Sequence, residues 1–268
     1  MIARSLLFVP GDRPERFGKA AASGAHGVIL DLEDAVAPDR KTAARDAVHA
    51  WLQAGSPAIV RINSLDTAWA HDDLRMLAAF PKAGLMVPKS DAASMQQAME
   101  RIGGATGSER EVIALIESVA GVVQVHPLAA IAGVTRLAFG NVDFAVDAGM
   151  EDTGDVMSSV RVQLVLASRY AGLQAPVDGV SLAIDDAQLT LAHARRSRSL
   201  GFGGKLCIHP RQVEHVNQAF SPTAEEVQWA RSVLAAFDAS GGAVVALAGK
   251  MIDRPVVERA RRVLADVG

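Results

Sequence analysis

Acidic and basic side chains follow directly after short apolar runs along this chain, where strand ends would bring them to a common rim. Asp31, Glu33 and Asp34 follow one run, Arg61 and Asn63 the next, and Lys89 a third. Glu117, then Asn141 with Asp143, then Asp178, then His209 follow four more. Several carboxylates facing one mouth repel each other unless a cation or protons intervene. The chain has a single cysteine, and His209 is the one histidine in this set, so the donors are oxygens, which suit Mg2+ or Mn2+. Glu117 and Asp143, on neighbouring strand ends, can supply two ligands and leave the other octahedral positions to water and substrate. An open site of that kind can chelate a 2-keto acid.

Three cationic or neutral-basic residues near these acids each have two readings. Arg61 closes the apolar run Ala58-Ile59-Val60, so its guanidinium needs an anionic partner: either the Asp31/Glu33/Asp34 cluster or a ligand carboxylate. Lys89 is either an acid's partner or, if desolvated, a Schiff-base amine. His209, beside Pro210, either fixes the turn after the last run or touches a ligand.

The apolar runs cover 5–9, 27–32, 58–62, 84–87, 112–116, 135–139, 175–177 and 203–208, each followed by a polar turn and most by a helical pattern. Eight βα units predict an α/β fold, a closed (β/α)8 TIM barrel, in which catalytic residues stand at the C-terminal ends of the strands. An open doubly wound sheet is the competing architecture, but no glycine fingerprint follows the first strand. Helices are expected over 39–52, 91–102, 155–171 and 185–200, with Asp39, Asp91, Asp155 and Asp185 as candidate caps. After Pro210 the strand rhythm stops. Pro222-Thr223-Ala224-Glu225-Glu226 starts a helix through Phe237, Gly241 and Gly242 break it, and a short strand or turn leads to a last helix. The division expected is 1–222 for the barrel and 223–268 for a short C-terminal helical lid.

Composition narrows the partners. Of 268 residues half are apolar and a fifth charged, so a large core can form. The net charge of −3, with no basic runs, argues against nucleic acid. The N-terminal apolar run is too short for a membrane span or a signal sequence, which makes the cytoplasm the expected compartment. Cys207 has no partner for a disulfide and is expected to be a buried strand residue.

At these residues the chain resembles the citrate lyase β-subunit-like family, related to malyl-CoA and citramalyl-CoA lyases and more distantly to malate synthase and the pyruvate aldolases. The resemblance rests on RSLLFVPGDRPERF from Arg4, LDLEDAVAPDRKTAAR from Leu30, VRIN around Arg61, ALIESVAGV around Glu117, FGNVDF around Asp143, GFGGKLCIHPRQV from Gly201 and GKMIDRPVVERA from Gly249. It implies that Glu117 and Asp143 bind Mg2+, that Arg61 holds the oxygens of a keto acid or hydroxyacid, and that Arg4 and Lys89 belong to the phosphate-facing or inner polar shell. It further implies a coenzyme A ester as substrate, carbon–carbon lyase activity on a citryl-, malyl- or citramalyl-CoA, and Asp253 as a catalytic acid on the lid. By the same resemblance the lid is shared between subunits of a homotrimer or hexamer. Should Asp253 not be the acid, Asp31 and Asp34, also candidates for substrate contact, are the next in line. Relatives often carry an acid before the metal aspartate; Val142 stands here, with Asn141 expected to compensate as a neutral hydrogen-bonder. A metal-dependent aldolase acting on hydroxy-keto acids, a malate synthase-like or thioesterase activity, and a non-catalytic subunit of a larger lyase complex are the alternatives.

Overall fold

The computed structural model describes residues 3–103, 110–247 and 249–267. Met1, Ile2 and Ala248, which fall in segments read above, lie outside the described residues. All eight expected strands form: β1 (Ser5–Pro10), β2 (Gly27–Asp31), β3 (Ile59–Arg61), β4 (Gly84–Val87), β5 (Val112–Ile116), β6 (Arg136–Phe139), β7 (Val177–Asp178) and β8 (Gly204–Cys207). Every neighbouring pair is parallel, and β1 pairs with both β2 and β8, which closes the barrel. Leu6, Ile29, Ile59, Met86, Ile113 and Leu206 share its interior with Leu115, Ala138 and Val177. Branched side chains from successive strands fill such a barrel in layers, so it is a packed core and its chemistry is confined to the rims. Trimming one of them, Ile29→Ala for example, is expected to cost about 2–5 kcal/mol.

Helices lie between the strands: α1 (Pro14–Ala21), α2 (Lys41–Gln53), α3 (Ala70–Ala78), α4 (Ala92–Arg101), α5 (Val119–Val123), α6 (Val125–Ala129), α7 (Asn141–Ala148), α8 (Ser158–Tyr170) and α9 (Ala187–Leu200). One of the four candidate caps holds. Asp91 accepts the Ser94 N–H at 2.7 Å while the Ser94 hydroxyl accepts from the Asp91 N–H at 2.9 Å, a reciprocal box that starts α4. Asp39 instead sits inside a 3-10 turn ahead of α2. Asp155 accepts from Ser158 Oγ and pairs with Arg196. Asp186 caps α9 through the Leu189 N–H at 2.9 Å, leaving Asp185 to pair with Arg211. The cap must be the residue immediately before the first turn, and an Asp-Asp pair does not reveal which one that is.

The chain divides into two compact units, Ala3–Asn217 and a second from Gln218 onward, with the boundary inside α10 (Pro210–Phe220). The second unit holds α11 (Ala224–Ala239), an antiparallel hairpin of β9 (Val245–Leu247) and β10 (Lys250–Ile252), and α12 (Arg254–Ala265). Thr223 and Glu226 form a capping box at the start of α11, and Gly241 and Gly242, at φ 66° and 85°, stop it as expected. Ala230, Val233, Ile252, Val257 and Ala260 form a small core of this unit's own.

Candidate active site

Strand register builds the mouth. The pairing of Asp31 with Arg61 puts the acid ending β2 beside the base ending β3. Arg61 donates from Nε to Asp31 Oδ1 at 2.8 Å and from Nη2 to Asp31 Oδ2 at 2.6 Å, and its guanidinium lies over the Phe8 ring at 4.8 Å. Its Nη1 is 3.1 Å from Glu33 Oε2 and 3.9 Å from Asp34. Asp31 also accepts the N–H groups of Glu33 and Ala35, so its carboxylate is fully committed. Asp34 is half exposed at the rim. Burial pushes the Glu33 carboxyl up to about 7, against the pull of Arg61.

Glu117, just past β5, is buried at 3 % exposure. Its Oε1 accepts the Lys89 N–H at 2.7 Å, and its Oε2, also buried, has no hydrogen-bond partner. Burial, then the charge of Glu33, push this carboxyl up to about 8. Asp143, in the first turn of α7, is exposed. A cavity of about 400 Å3 is lined by both acids together with Phe8, Arg61, Val142 and Ile208. A buried carboxylate oxygen without a partner, a second carboxylate on the same wall and all-oxygen chemistry fit a hard divalent cation. No group of three or more His, Cys, Asp or Glu side chains is gathered for a metal among the described residues, so water and substrate would complete the shell.

The other expected residues scatter. Lys89 Nζ is 3.2 Å from Glu33 Oε1; burial works to lower this ammonium, and the charge and hydrogen bond of Glu33 outweigh it and raise it. The ion pair makes Lys89 an acid's partner, the first of its two readings, and its raised ammonium speaks against a Schiff-base amine. His209 Nδ1 accepts the Arg211 N–H at 3.2 Å and so fixes the turn into α10. Arg4 is not brought to this mouth: it precedes β1, its carbonyl accepts the Lys205 N–H at 2.8 Å, and its charge lowers His26. That is the N-terminal rim, roughly 20 Å away along a six-residue strand. Asp253 belongs to the second unit, where it caps α12 by accepting the Val256 N–H at 3.2 Å.

Asn141, which lines the same cavity, is hydrogen-bonded away from the two acids. Its amide donates to Asp152 Oδ2 and to Val180 O at 3.1 Å, and its oxygen accepts the Val180 N–H at 2.7 Å, which ties it to the loop after β7. That loop borders a second cavity of about 390 Å3, which shares Asn141, Val142 and Val180 with the first. Its floor is a self-satisfied network: Arg161 Nε donates to Asp178 at 2.9 Å, Lys205 lies 3.7 Å from the same carboxylate, and Ser197 donates to it. Sequence reasoning named Asp178 as a strand end but missed this network, as well as Glu33 as a linker of Arg61 and Lys89. The acidic run Asp31-Leu32-Glu33-Asp34 was the available signal for Glu33. Cys207 is buried as expected, and burial pushes its thiol up to about 12.

A family model described as HpcH/HpaI aldolase/citrate lyase matches residues 4–210, the barrel through the turn that follows β8. The chain belongs to this family. Among HpcH/HpaI relatives, a citrate lyase subunit beta-like protein of Mycobacterium tuberculosis is 38 % identical, with 98 % of this chain and 94 % of that protein covered. A (3S)-malyl-CoA thioesterase of Cereibacter sphaeroides is 32 % identical over 98 % of this chain and 93 % of its own length. The crystal structure of M. tuberculosis CitE with magnesium, acetoacetate and coenzyme A is 35 % identical, with a TM-score of 0.84 over 100 % of this chain and 98 % of that one. Among the described residues of this HpcH/HpaI chain, no helix is long and apolar enough to cross a membrane.

Proposed function

We propose that this chain is a magnesium-dependent carbon–carbon lyase that cleaves or forms a short 3-hydroxyacyl-CoA of the citryl-, malyl- or citramalyl-CoA type through an acetyl-CoA enolate. The observation that carries this reading is the buried, unpartnered Glu117 Oε2 in a cavity that also holds Asp143 and the fixed guanidinium of Arg61. The M. tuberculosis structure with magnesium, acetoacetate and coenzyme A supports it.

Glu117 and Asp143 would hold the cation, which when bound polarises the substrate's hydroxyl or keto oxygen and its neighbouring carboxylate. Arg61 has Nε and Nη2 committed to Asp31 and its Nη1 3.1 Å from Glu33 Oε2, so the N–H groups still left on Nη1 and Nη2 are the ones that would meet a substrate oxygen and hold charge developing on the enolate. Because Asp31 and Glu33 fix the guanidinium beforehand, little reorganisation is needed when that charge appears. Asp253 would take a proton from the acetyl methyl group in condensation and return it in cleavage, using Oδ2 while Oδ1 caps α12. We place it on a lid that closes over the site of a neighbouring subunit in a homotrimer or hexamer, excluding water during the proton transfer. The coenzyme A portion supplies binding energy far from the reacting carbon. The cytoplasm remains the compartment expected for such an enzyme.

A second reading is net thioester hydrolysis, favoured by the malyl-CoA thioesterase relatives. One experiment separates the two: mass spectrometry of the products from a panel of 3-hydroxyacyl-CoA esters, with and without EDTA. A lyase yields acetyl-CoA and a keto or aldehyde acid, and EDTA abolishes both; a thioesterase yields free coenzyme A and the intact hydroxyacid. No EDTA-sensitive product from any ester would defeat the proposal.

A further inference from the structure

Among the described residues Lys89 is the one non-glycine residue with a left-handed backbone, at φ 46°. Side chains disfavour that region, and such strain persists only where the surroundings over-determine it. Two sets of contacts hold the turn here. Ser90 donates from its N–H to Leu115 O at 3.0 Å and from its hydroxyl to Val87 O at 2.7 Å, which ties the end of β4 to β5. Lys89 Nζ meets Glu33 Oε1 at 3.2 Å, anchoring a half-exposed side chain to a buried acid.

The strained conformation turns the Lys89 N–H onto Glu117 Oε1 at 2.7 Å. On the other side of Glu117 stands Gly140, which follows Phe139, the register partner of Ile116. A Cβ on Gly140 would lie 2.4 Å from Glu117 Cβ and 2.6 Å from Oε2, so the carboxylate occupies its place only because that position is bare. The main chain just past β4 and β6 therefore fixes both oxygens: Oε1 is held by a donor, and Oε2 is left without one in the cavity lining.

We propose that Lys89 and Gly140 are positioning residues that aim Glu117 at its divalent cation, Lys89 through its strained N–H and Gly140 through its missing side chain. This inference rests on Glu117 being a metal ligand. It assigns the Lys89 ammonium an indirect role, holding the turn against Glu33, in place of contact with substrate.

Glycine and alanine at position 89 separate the two roles. Both remove the ammonium, so any direct effect of its charge on the cation is the same in each. Glycine adopts positive φ at no steric cost, whereas alanine keeps the strain and loses the anchor. The experiment is calorimetric titration of the full-length protein with MgCl2 alone, with thermal melting in EDTA recorded for each variant. Lys89→Gly is expected to bind Mg2+ nearly as tightly as the wild type, while Lys89→Ala and Gly140→Ala bind roughly 10–100-fold more weakly, the usual cost of losing a group that orients a ligand. Lys89→Gln, which also loses the ion pair, replaces alanine should that variant not fold. Equal weakening by glycine and alanine, or no weakening by alanine and Gly140→Ala, would overturn the inference. Absence of Mg2+ binding by the wild-type protein would instead remove the metal assignment of Glu117 and this inference with it.

Discussion

Arg61 and Asp31 meet in a two-pronged contact, 2.8 Å and 2.6 Å, at the paired ends of β3 and β2. Ion pair and substrate clamp were alternatives for Arg61; the structure shows the ion pair, with Asp31 on one edge and Glu33 3.1 Å from Nη1, and the proposed clamp would use the N–H groups that these acids leave over. A lysine is a point charge that cannot reproduce a planar fork. Arg61→Lys is therefore expected to lose nearly as much kcat/KM as Arg61→Ala, roughly a hundredfold or more. Removing the base also strands the buried Asp31, so Arg61→Ala should lose about 3–5 kcal/mol of stability, and Arg61→Lys, which keeps a charge but not the two-pronged contact, less. A lysine variant with near-normal kcat/KM on the cleaved ester would return Arg61 to a purely structural role.

Glu117→Ala and Asp143→Ala should each reduce turnover roughly a thousandfold or more while leaving the barrel folded. Circular dichroism and steady-state kinetics check the two halves of that statement. Retention of more than about a tenth of kcat/KM by either variant contradicts the assignment of that residue as a ligand.

Asn141→Ala removes three hydrogen bonds at once, to Asp152, Val180 O and the Val180 N–H. Stranding those groups is expected to cost about 1–3 kcal/mol, read as a lower denaturation midpoint with an unchanged m-value. An unaltered midpoint would mean that the loop after β7 is held by other contacts.

His193 supplies a pH dependence away from the metal-facing acids. Burial lowers this imidazole, Lys205 and Arg161 lower it further, and Asp152 and Asp178 oppose them. A histidine held below its ordinary 6.5 takes up its proton later in the folded state than in the unfolded state. Stability from this group is complete above the unfolded value, declines as the pH falls below it, and levels off once the folded value is passed. His193→Gln should flatten that part of the acid-side decline in thermal melts between about pH 7 and 5. An identical slope in wild type and variant would rule the histidine out as its source.

Asp253 tests assembly and chemistry together. If the lid acts on a neighbour, inactive Asp253→Ala and Glu117→Ala chains complement each other when mixed. In a ring of head-to-tail contacts about one quarter of the sites then combine an intact mouth with an intact lid. Native mass spectrometry confirms mixed oligomers, and activity above that of either mutant alone is the expected outcome. Mixed oligomers without recovery would exclude sharing, and an active Asp253→Ala chain would pass the role to Asp34, since Asp31 is fully committed to Arg61 and its own loop.

The barrel was legible because each strand is a short apolar run closed by a turn, and eight such runs alternate with helical patterns. That Glu117 and Asp143 line one cavity was legible for the same reason: position after a strand places a side chain at the mouth. Arg4 shows the limit of that reasoning, since it precedes its strand and the fold puts it at the opposite rim. The partners of Arg61, the role of Gly140 and the Asp178 network depend on register between strands and on helix packing. Those distances join residues 17 to 30 positions apart and leave no local pattern.

The lone thiol has a practical consequence. Cys207 is fully buried in β8 and its pKa is pushed up to about 12, so at neutral pH it presents almost no thiolate to alkylating reagents or peroxide. With no other sulfhydryl in the sequence, the native chain already behaves as a cysteine-free background. A single surface cysteine introduced next to Asp253 could be labelled with a fluorophore directly, and its emission during titration with coenzyme A would test the proposed lid without any prior re-engineering of the barrel.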